Sequence, residues 1–182
     1  MLYVMRHGRT DWNELHKIQG RTDIPLNEEG RRMALEAREK HKDVHFDICF
    51  CSPLVRAKET ADIFLEGREI PVKYDDRLIE MSFGEYEGKV YDVYVPDCPL
   101  NHFFKDPVNY NPNGKAETFD ELFARTKEFL DEVAIPLVND GKDVLIVGHG
   151  AMNSSIVTQL KGWGLEHFWD AGIKNCELMR LI

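Results

Sequence analysis

Leu2-Tyr3-Val4-Met5-Arg6-His7-Gly8-Arg9-Thr10 reads as a short buried strand that carries Arg6 and His7 into a glycine turn. The apolar run is too short for a helix and stops against Gly8, as a strand covered on both faces does. At the carboxyl end of such a strand, side chains enter the crevice in which open α/β sheets bind ligands. An Arg beside a His suits a phosphoryl group there, because the guanidinium fork holds its oxygens and the imidazole can attack phosphorus. For this stretch alone, a solvated Arg-His pair after a strand carries equal weight.

Two further stretches repeat the pattern. Val144-Leu145-Ile146-Val147 is an apolar, β-branched run, predicted as a central parallel strand, and it leads through Gly148-His149-Gly150 into a helix. Phe46 to Cys51 predicts another strand. It is followed by Ser52-Pro53-Leu54-Val55-Arg56, with Ser52 expected as the helix cap and Pro53 as the first helical residue. Arg56 then falls in a first turn, near backbone N–H groups that can hold an anion. Parallel, adjacent strands would bring Arg6, His7, Arg56 and His149 to one sheet edge.

The remaining elements frame that edge. Asn27 is expected to cap a helix running to about Lys40, with Met33, Ala34 and Ala37 inward. Ile70 to Tyr74 predicts a weak edge strand. Leu78 to Gly88 holds three carboxylates among aromatics and glycines. Glu80 stands there between apolar residues, a setting that suits acid–base work, although spacing alone does not single it out among 32 acidic residues. Residues 86–119 are rich in aromatics and prolines and lack periodicity, which predicts a cap over the site, with ordinary packing beneath the sheet edge as the alternative. Thr118-Phe119-Asp120-Glu121 is a capping box opening an amphipathic helix that Pro136 and Asn139-Asp140-Gly141 are expected to end. Cys176 to Ile182 reads as a last strand.

Composition narrows the partners. The 182 residues, 43% of them hydrophobic, suit a single domain, 1–182, with the 86–119 segment as an insertion. A net charge of −9 argues against nucleic acid or an anionic membrane as a partner. No apolar run approaches the roughly 20 residues of a membrane span, and no signal-peptide pattern opens the chain, so a soluble, cytoplasmic protein is expected. The four cysteines lack zinc or Cys-x-x-Cys spacing, and Cys49 and Cys51 are expected as reduced core thiols on one strand face. Neither an acidic magnesium-binding cluster nor a Walker loop accompanies the basic residues, so no metal and no cofactor is expected.

Together these motifs resemble the histidine phosphatase superfamily, in its phosphoglycerate mutase-like branch, over nearly the whole chain. Arg6-His7-Gly8, with Thr10 and Asn13, is similar to the nucleophile motif. Gln19-Gly20 and Asp23 to Leu26 resemble the loop after it, and Cys51 to Thr60 the second motif. Leu78 to Gly88 resembles the general-acid segment, and Val147 to Gly150 the second-histidine motif. The resemblance implies a three-layer α/β/α sandwich with a mostly parallel central sheet. It also implies roles. His7 attacks phosphorus and becomes phosphohistidine. Arg6, Asn13, Arg56, His149 and the Gly150 N–H hold the phosphoryl oxygens, with Gln19 and Gly20 in the binding loop. Glu80 protonates the leaving group and then activates water. A neutral nucleophile further requires the other ring nitrogen of His7 to donate to a backbone carbonyl.

Some positions depart from the pattern. Arg9 stands where Glu or Gln is common and adds positive charge at the mouth, while Asn153 stands where some members place Arg. Arg9, Thr10 and Arg21 are therefore candidates for specificity. Gln19 resembles the phosphatases, where mutases usually carry Thr. The expectation is a metal-independent phosphomonoester hydrolase acting on a small phosphorylated metabolite. A phosphoglycerate mutase and a catalytically silent phosphate-binding module are the alternatives. Neither the natural substrate nor the oligomeric state is legible.

Overall fold

A computed structural model describes residues 1–112 and 114–182. Five strands form one sheet: β1 (Leu2–Arg6), β2 (Ile48–Cys51), β3 (Val72–Tyr74), β4 (Val144–Gly148) and β5 (Leu178–Arg180). Their order is β3-β2-β4-β1-β5, with β5 antiparallel to β1 and the other pairings parallel. The helices are α1 (Asp11–Glu14), α2 (Glu28–Lys40), α3 (Val55–Leu65), α4 (Asn101–Lys105), α5 (Phe119–Phe129), α6 (Ile135–Asn139) and α7 (Gly150–Lys161).

Strand alternation builds the layers. Leu2, Val4, Ile48, Phe50, Val144 and Ile146 face one core with Leu122 and Phe129 of α5 and Ile156 of α7. Tyr3, Met5, Cys49, Cys51, Leu145 and Val147 face the other, with Ala34 and Ala37 of α2 and Ala57 and Phe64 of α3. Successive residues of a strand point to opposite faces, so each central strand serves both cores and is apolar throughout. This is the expected three-layer α/β/α sandwich. Cys49 and Cys51 are buried free thiols on one face, and burial pushes Cys49 up to about 12.

The chain ends of the helices follow their local chemistry in two cases. The Asn27 side chain accepts from the Gly30 N–H at 2.8 Å, and Thr118 with Glu121 forms the reciprocal capping box. One other expectation fails. α3 starts at Val55 rather than at Pro53, and its cap residue is Leu54, without a side-chain bond. Asp23, 32 residues upstream, accepts from the Val55 N–H at 2.7 Å, while Ser52 Oγ accepts from the Leu54 N–H at 3.3 Å and also meets His149. The helix ends at Asn139 with Asp140 as its cap, at the expected Asn139-Asp140-Gly141 stop, but Pro136 does not interrupt it. A π-helical stretch, Leu130–Ala134, precedes the proline, and its wider turn shifts the carbonyl that the ring would otherwise meet.

Adjacent β1 and β4 carry Arg6 opposite Gly148, and the His7 N–H donates to Gly148 O at 2.9 Å. Both strand–His–Gly stretches therefore leave the sheet at the same edge. The turn after β1 packs closely on α2: a Cβ on Gly8 would lie 2.5 Å from Gly30 O, and one on Gly30 would lie 2.0 Å from Arg9 O. Only glycine fits at both.

Candidate active site

His7 is 2% exposed and lines a cavity of about 710 Å³ together with Arg6, Asn13, Gln19, Gly20, Arg56, Glu80 and Gly150. Its Nδ1 lies 2.6 Å from Gly8 O. A carbonyl only accepts, so Nδ1 carries the proton and Nε2 keeps its lone pair. The carbonyl that the sequence left unnamed is thus that of the next residue. Burial first, then Arg56 and Arg6, hold the protonation of His7 well below its usual range. The imidazole is neutral at pH 7, as a nucleophile must be. Thr60 Oγ1 accepts from the Gly8 N–H at 2.9 Å, and Asn175 Nδ2 donates to His7 O at 2.8 Å, which fixes the backbone on both sides.

Arg56 is fully buried. Its Nη1 donates to Thr22 O at 2.9 Å and its Nη2 to Gly20 O at 2.6 Å, whereas its buried Nε has no partner among the described residues. Gly20 sits at φ +53°, which lets its carbonyl turn toward the guanidinium. Burial lowers Arg56 to about 10, against an opposing effect of Glu80, so it remains cationic. Arg6 Nη1 donates to Ile173 O at 3.2 Å, and the buried Arg6 Nε is likewise unpartnered. Two guanidinium groups so anchored present fixed positive charge to an anion.

Glu80 holds a position that the sequence did not foreshadow. Its carboxylate accepts from the N–H groups of Met81 at 2.8 Å, Met152 at 3.0 Å and Ala151 at 3.2 Å. It thereby takes the two donors that follow the Gly150 N–H at the start of α7, and they hold it at the cavity. Arg21 supports this segment from behind: its Nε donates to Glu80 O at 3.1 Å and its Nη2 pairs with Glu117 at 3.2 Å.

His149 also differs from expectation. It is fully buried and does not line the cavity; its ring stands 5.2 Å from that of His7, and its Nε2 lies 2.6 Å from Ser52 Oγ. Its Nδ1 has no partner among the described residues, and burial followed by Arg56 holds it neutral. The fixed positive charge beside His7 comes from Arg6 and Arg56. Thr10 is buried beneath the site, caps α1 and donates to Gln19 Oε1 at 2.8 Å. Arg9 and Arg21 are not among the cavity's lining residues; Arg9 lines a neighbouring cavity instead.

Among the lining residues Trp12 and Trp169 had no assigned role in the sequence, whereas Tyr91, Tyr94, Phe103 and Phe104 fall in the 86–119 segment expected as a cap. Trp12, Phe83, Tyr91, Tyr94, Phe103, Phe104 and Trp169 make one wall aromatic. Phe103 is its hub, with ring centroids 4.9 Å from Phe83 and 5.2 Å from Trp169, and Trp169 Nε1 donates to Phe103 O at 2.8 Å. Glu87 lay within a quoted motif but had no assigned role. It accepts from the N–H groups of Arg21, Thr22 and Phe83 and so holds the loop that presents Gln19 and Gly20.

One carboxylate set against two fixed guanidinium groups and a neutral imidazole can bind a phosphate ester and transfer its phosphoryl group. Comparison with known proteins gives the same direction. The histidine phosphatase superfamily (branch 1) matches residues 2–182. The uncharacterized phosphatase PhoE of Bacillus subtilis is 41% identical over 160 residues, 87% of this chain and 76% of that protein. Phosphoglycerate mutases are among the relatives at lower identity. The structure of Bacillus stearothermophilus YhfR superposes with a TM-score of 0.83 at 35% identity, covering 92% of this chain and 83% of its own. A phosphoserine phosphatase from Entamoeba histolytica, solved with 3-phosphoglyceric acid, gives a TM-score of 0.81 at 28% identity, covering 97% and 87%. The chain belongs to the histidine phosphatase superfamily, branch 1.

Proposed function

We propose that the protein is a metal-independent phosphomonoester hydrolase that works through phosphohistidine at His7. The observation that carries this is the tautomer of His7: Nδ1 is committed to Gly8 O, and the ring lines the cavity that Arg6 and Arg56 also line. In the first step His7 Nε2 attacks phosphorus and the bond to the ester oxygen breaks. Arg6 and Arg56 hold the equatorial oxygens, with Asn13 and the Gly150 N–H as further contacts, while His149 packs behind His7 and keeps its ring in place. Glu80 passes a proton to the leaving oxygen. In the second step Glu80 takes a proton from water, which attacks the phosphohistidine and releases inorganic phosphate. Fixed dipoles and cations of this kind stabilise the transferring group without reorganising as the charge develops.

The aromatic wall favours hydrolysis over mutase activity. Beyond Arg6 and Arg56 the lining offers Lys17 and His16 as basic groups, while Asp92 is acidic. A leaving group with an apolar or planar body fits that wall better than the small, doubly charged phosphoglycerate skeleton. Within the single domain, residues 86–119 select the substrate, because Tyr91 to Tyr94, Phe103 and Phe104 all come from that segment.

The test is hydrolysis of an aryl phosphate in the presence of a chelator, in wild type and His7→Ala. Chelator-resistant release of phosphate that depends on His7 is expected. Equal activity in the two proteins, or activity that vanishes with the chelator, would contradict the mechanism. Interconversion of phosphoglycerates faster than phosphate release would favour the mutase.

A further inference from the structure

A second cavity, of about 410 Å³, adjoins the first and shares Arg6, Gly150 and Trp169 with it. We propose that it is a second anion subsite, in which Arg9 and Lys174 receive a phosphate- or carboxylate-sized group on the far side of Arg6.

Charge is the first ground. Arg6, Arg9 and Lys174 line this cavity, Ser154 and Asn175 add polar groups, and no carboxylate is among its lining residues, in a chain whose net charge is −9. Arg9 and Lys174 are exposed and enter no ion pair among the described residues. Two carboxylates lie nearby without lining the cavity: Glu177 accepts from the Lys174 backbone N–H at 2.8 Å, and Glu29 pairs with Arg32 while also feeling the charge of Arg9. Elsewhere on the surface, exposed arginines such as Arg31 and Arg32 do find acidic partners.

Placement is the second ground. The Arg6 guanidinium borders both cavities, and its Nη1 is tied to Ile173 O, a carbonyl of the loop that carries Lys174. One guanidinium between two anions does not offset both, and Arg9 with Lys174 supplies the balancing charge. The departure of Arg9 from the residue usual at its position thereby gains a location: it serves this neighbouring cavity, not the wall around His7.

The occupant is either a second phosphate or carboxylate carried by the substrate or free phosphate bound beside it. The substrate arm of the test rests on the phosphatase proposal, while the binding arm does not. Wild type and the Arg9→Gln/Lys174→Gln double variant are titrated with inorganic phosphate by calorimetry. Both are then assayed on phenyl phosphate and on an aryl phosphate bearing a second phosphate or carboxylate. Two phosphates bound by wild type and one by the variant would support the subsite. A drop of about tenfold in the variant's preference for the doubly anionic ester, the scale of two partly screened ion pairs, would assign it to the substrate's own group. Loss of the second phosphate with an unchanged preference would assign it to free phosphate. A single phosphate in both proteins together with an unchanged preference would overturn the proposal. Absence of phenyl phosphate hydrolysis in wild type would overturn the phosphatase proposal instead, with the calorimetry still deciding the subsite.

Discussion

β1 and β4 end alike, in strand, histidine and glycine, and their histidines stand side by side, yet the two rings meet different surroundings. His7 lines the cavity and is bound through Nδ1 to the carbonyl of the next residue. His149 is sealed behind it, bound through Nε2 to a serine at the end of β2. A local carbonyl leaves the far nitrogen of His7 free to act. A long-range serine bond makes His149 a rigid neighbour. Similar sequence patterns thus yield two differently placed rings, which the proposed mechanism uses as a reacting group and a supporting one, and the difference lies in which ring nitrogen is occupied and by what.

The contrast can be broken at either histidine. His7→Ala should lower turnover by on the order of 10⁴ or more, the scale of losing a nucleophile, measured as chelator-resistant aryl phosphatase activity. On the same side of the site, Glu80→Gln should cost about 10² or more on alkyl phosphates, whose leaving groups need a proton, and much less on aryl phosphates. Equal losses on both would remove Glu80 from the acid role. His149→Ala should cost about tenfold in kcat, because it loosens the packing behind the His7 ring rather than removing a contact to the transferring group, and it should still form phosphohistidine. Ser52→Ala should cost only about fivefold, the rate equivalent of one neutral hydrogen bond worth ~1 kcal/mol. A Ser52 effect larger than that of His149 would mean that the serine itself touches substrate.

The smallest expected effect is on pH dependence. Burial, Arg56 and Arg6 hold His7 neutral well below pH 6.5, and protonation would remove the attacking lone pair. The acid limb of kcat/KM should therefore lie below pH 6.5 in wild type. Removing a cation favours the protonated ring, so Arg56→Met should move that limb upward. A wild-type limb at or above pH 6.5, or a downward move in the variant, would contradict the environment described for His7.

What was legible in the sequence was whatever local pattern controls. The continuous apolar runs of β1 and β4, the Asn27 cap and the Thr118 capping box all formed as expected, because each depends on neighbours within a few residues. Arg6, His7, Arg56 and Glu80 line one cavity, as anticipated from strand ends and motif resemblance. The misses share a different cause. Ser52 bonds to His149 as well as to Leu54 just before α3, Asp23 took over the cap of α3, and Glu80 capped α7 from 71 residues away. Arg9 turned to a second cavity, and the aromatic wall combined residues as distant as Trp12 and Trp169. Pairings of that range are set by topology, which a local pattern does not encode.

The direct test of the central claim is to quench the enzyme with substrate during turnover and locate the phosphoryl group. Wild type, and more strongly Glu80→Gln, should carry an acid-labile, base-stable phosphoryl group on His7, absent from His7→Ala and retained in His149→Ala. A label on His149, or steady turnover with no label on any histidine, would contradict His7 as the nucleophile.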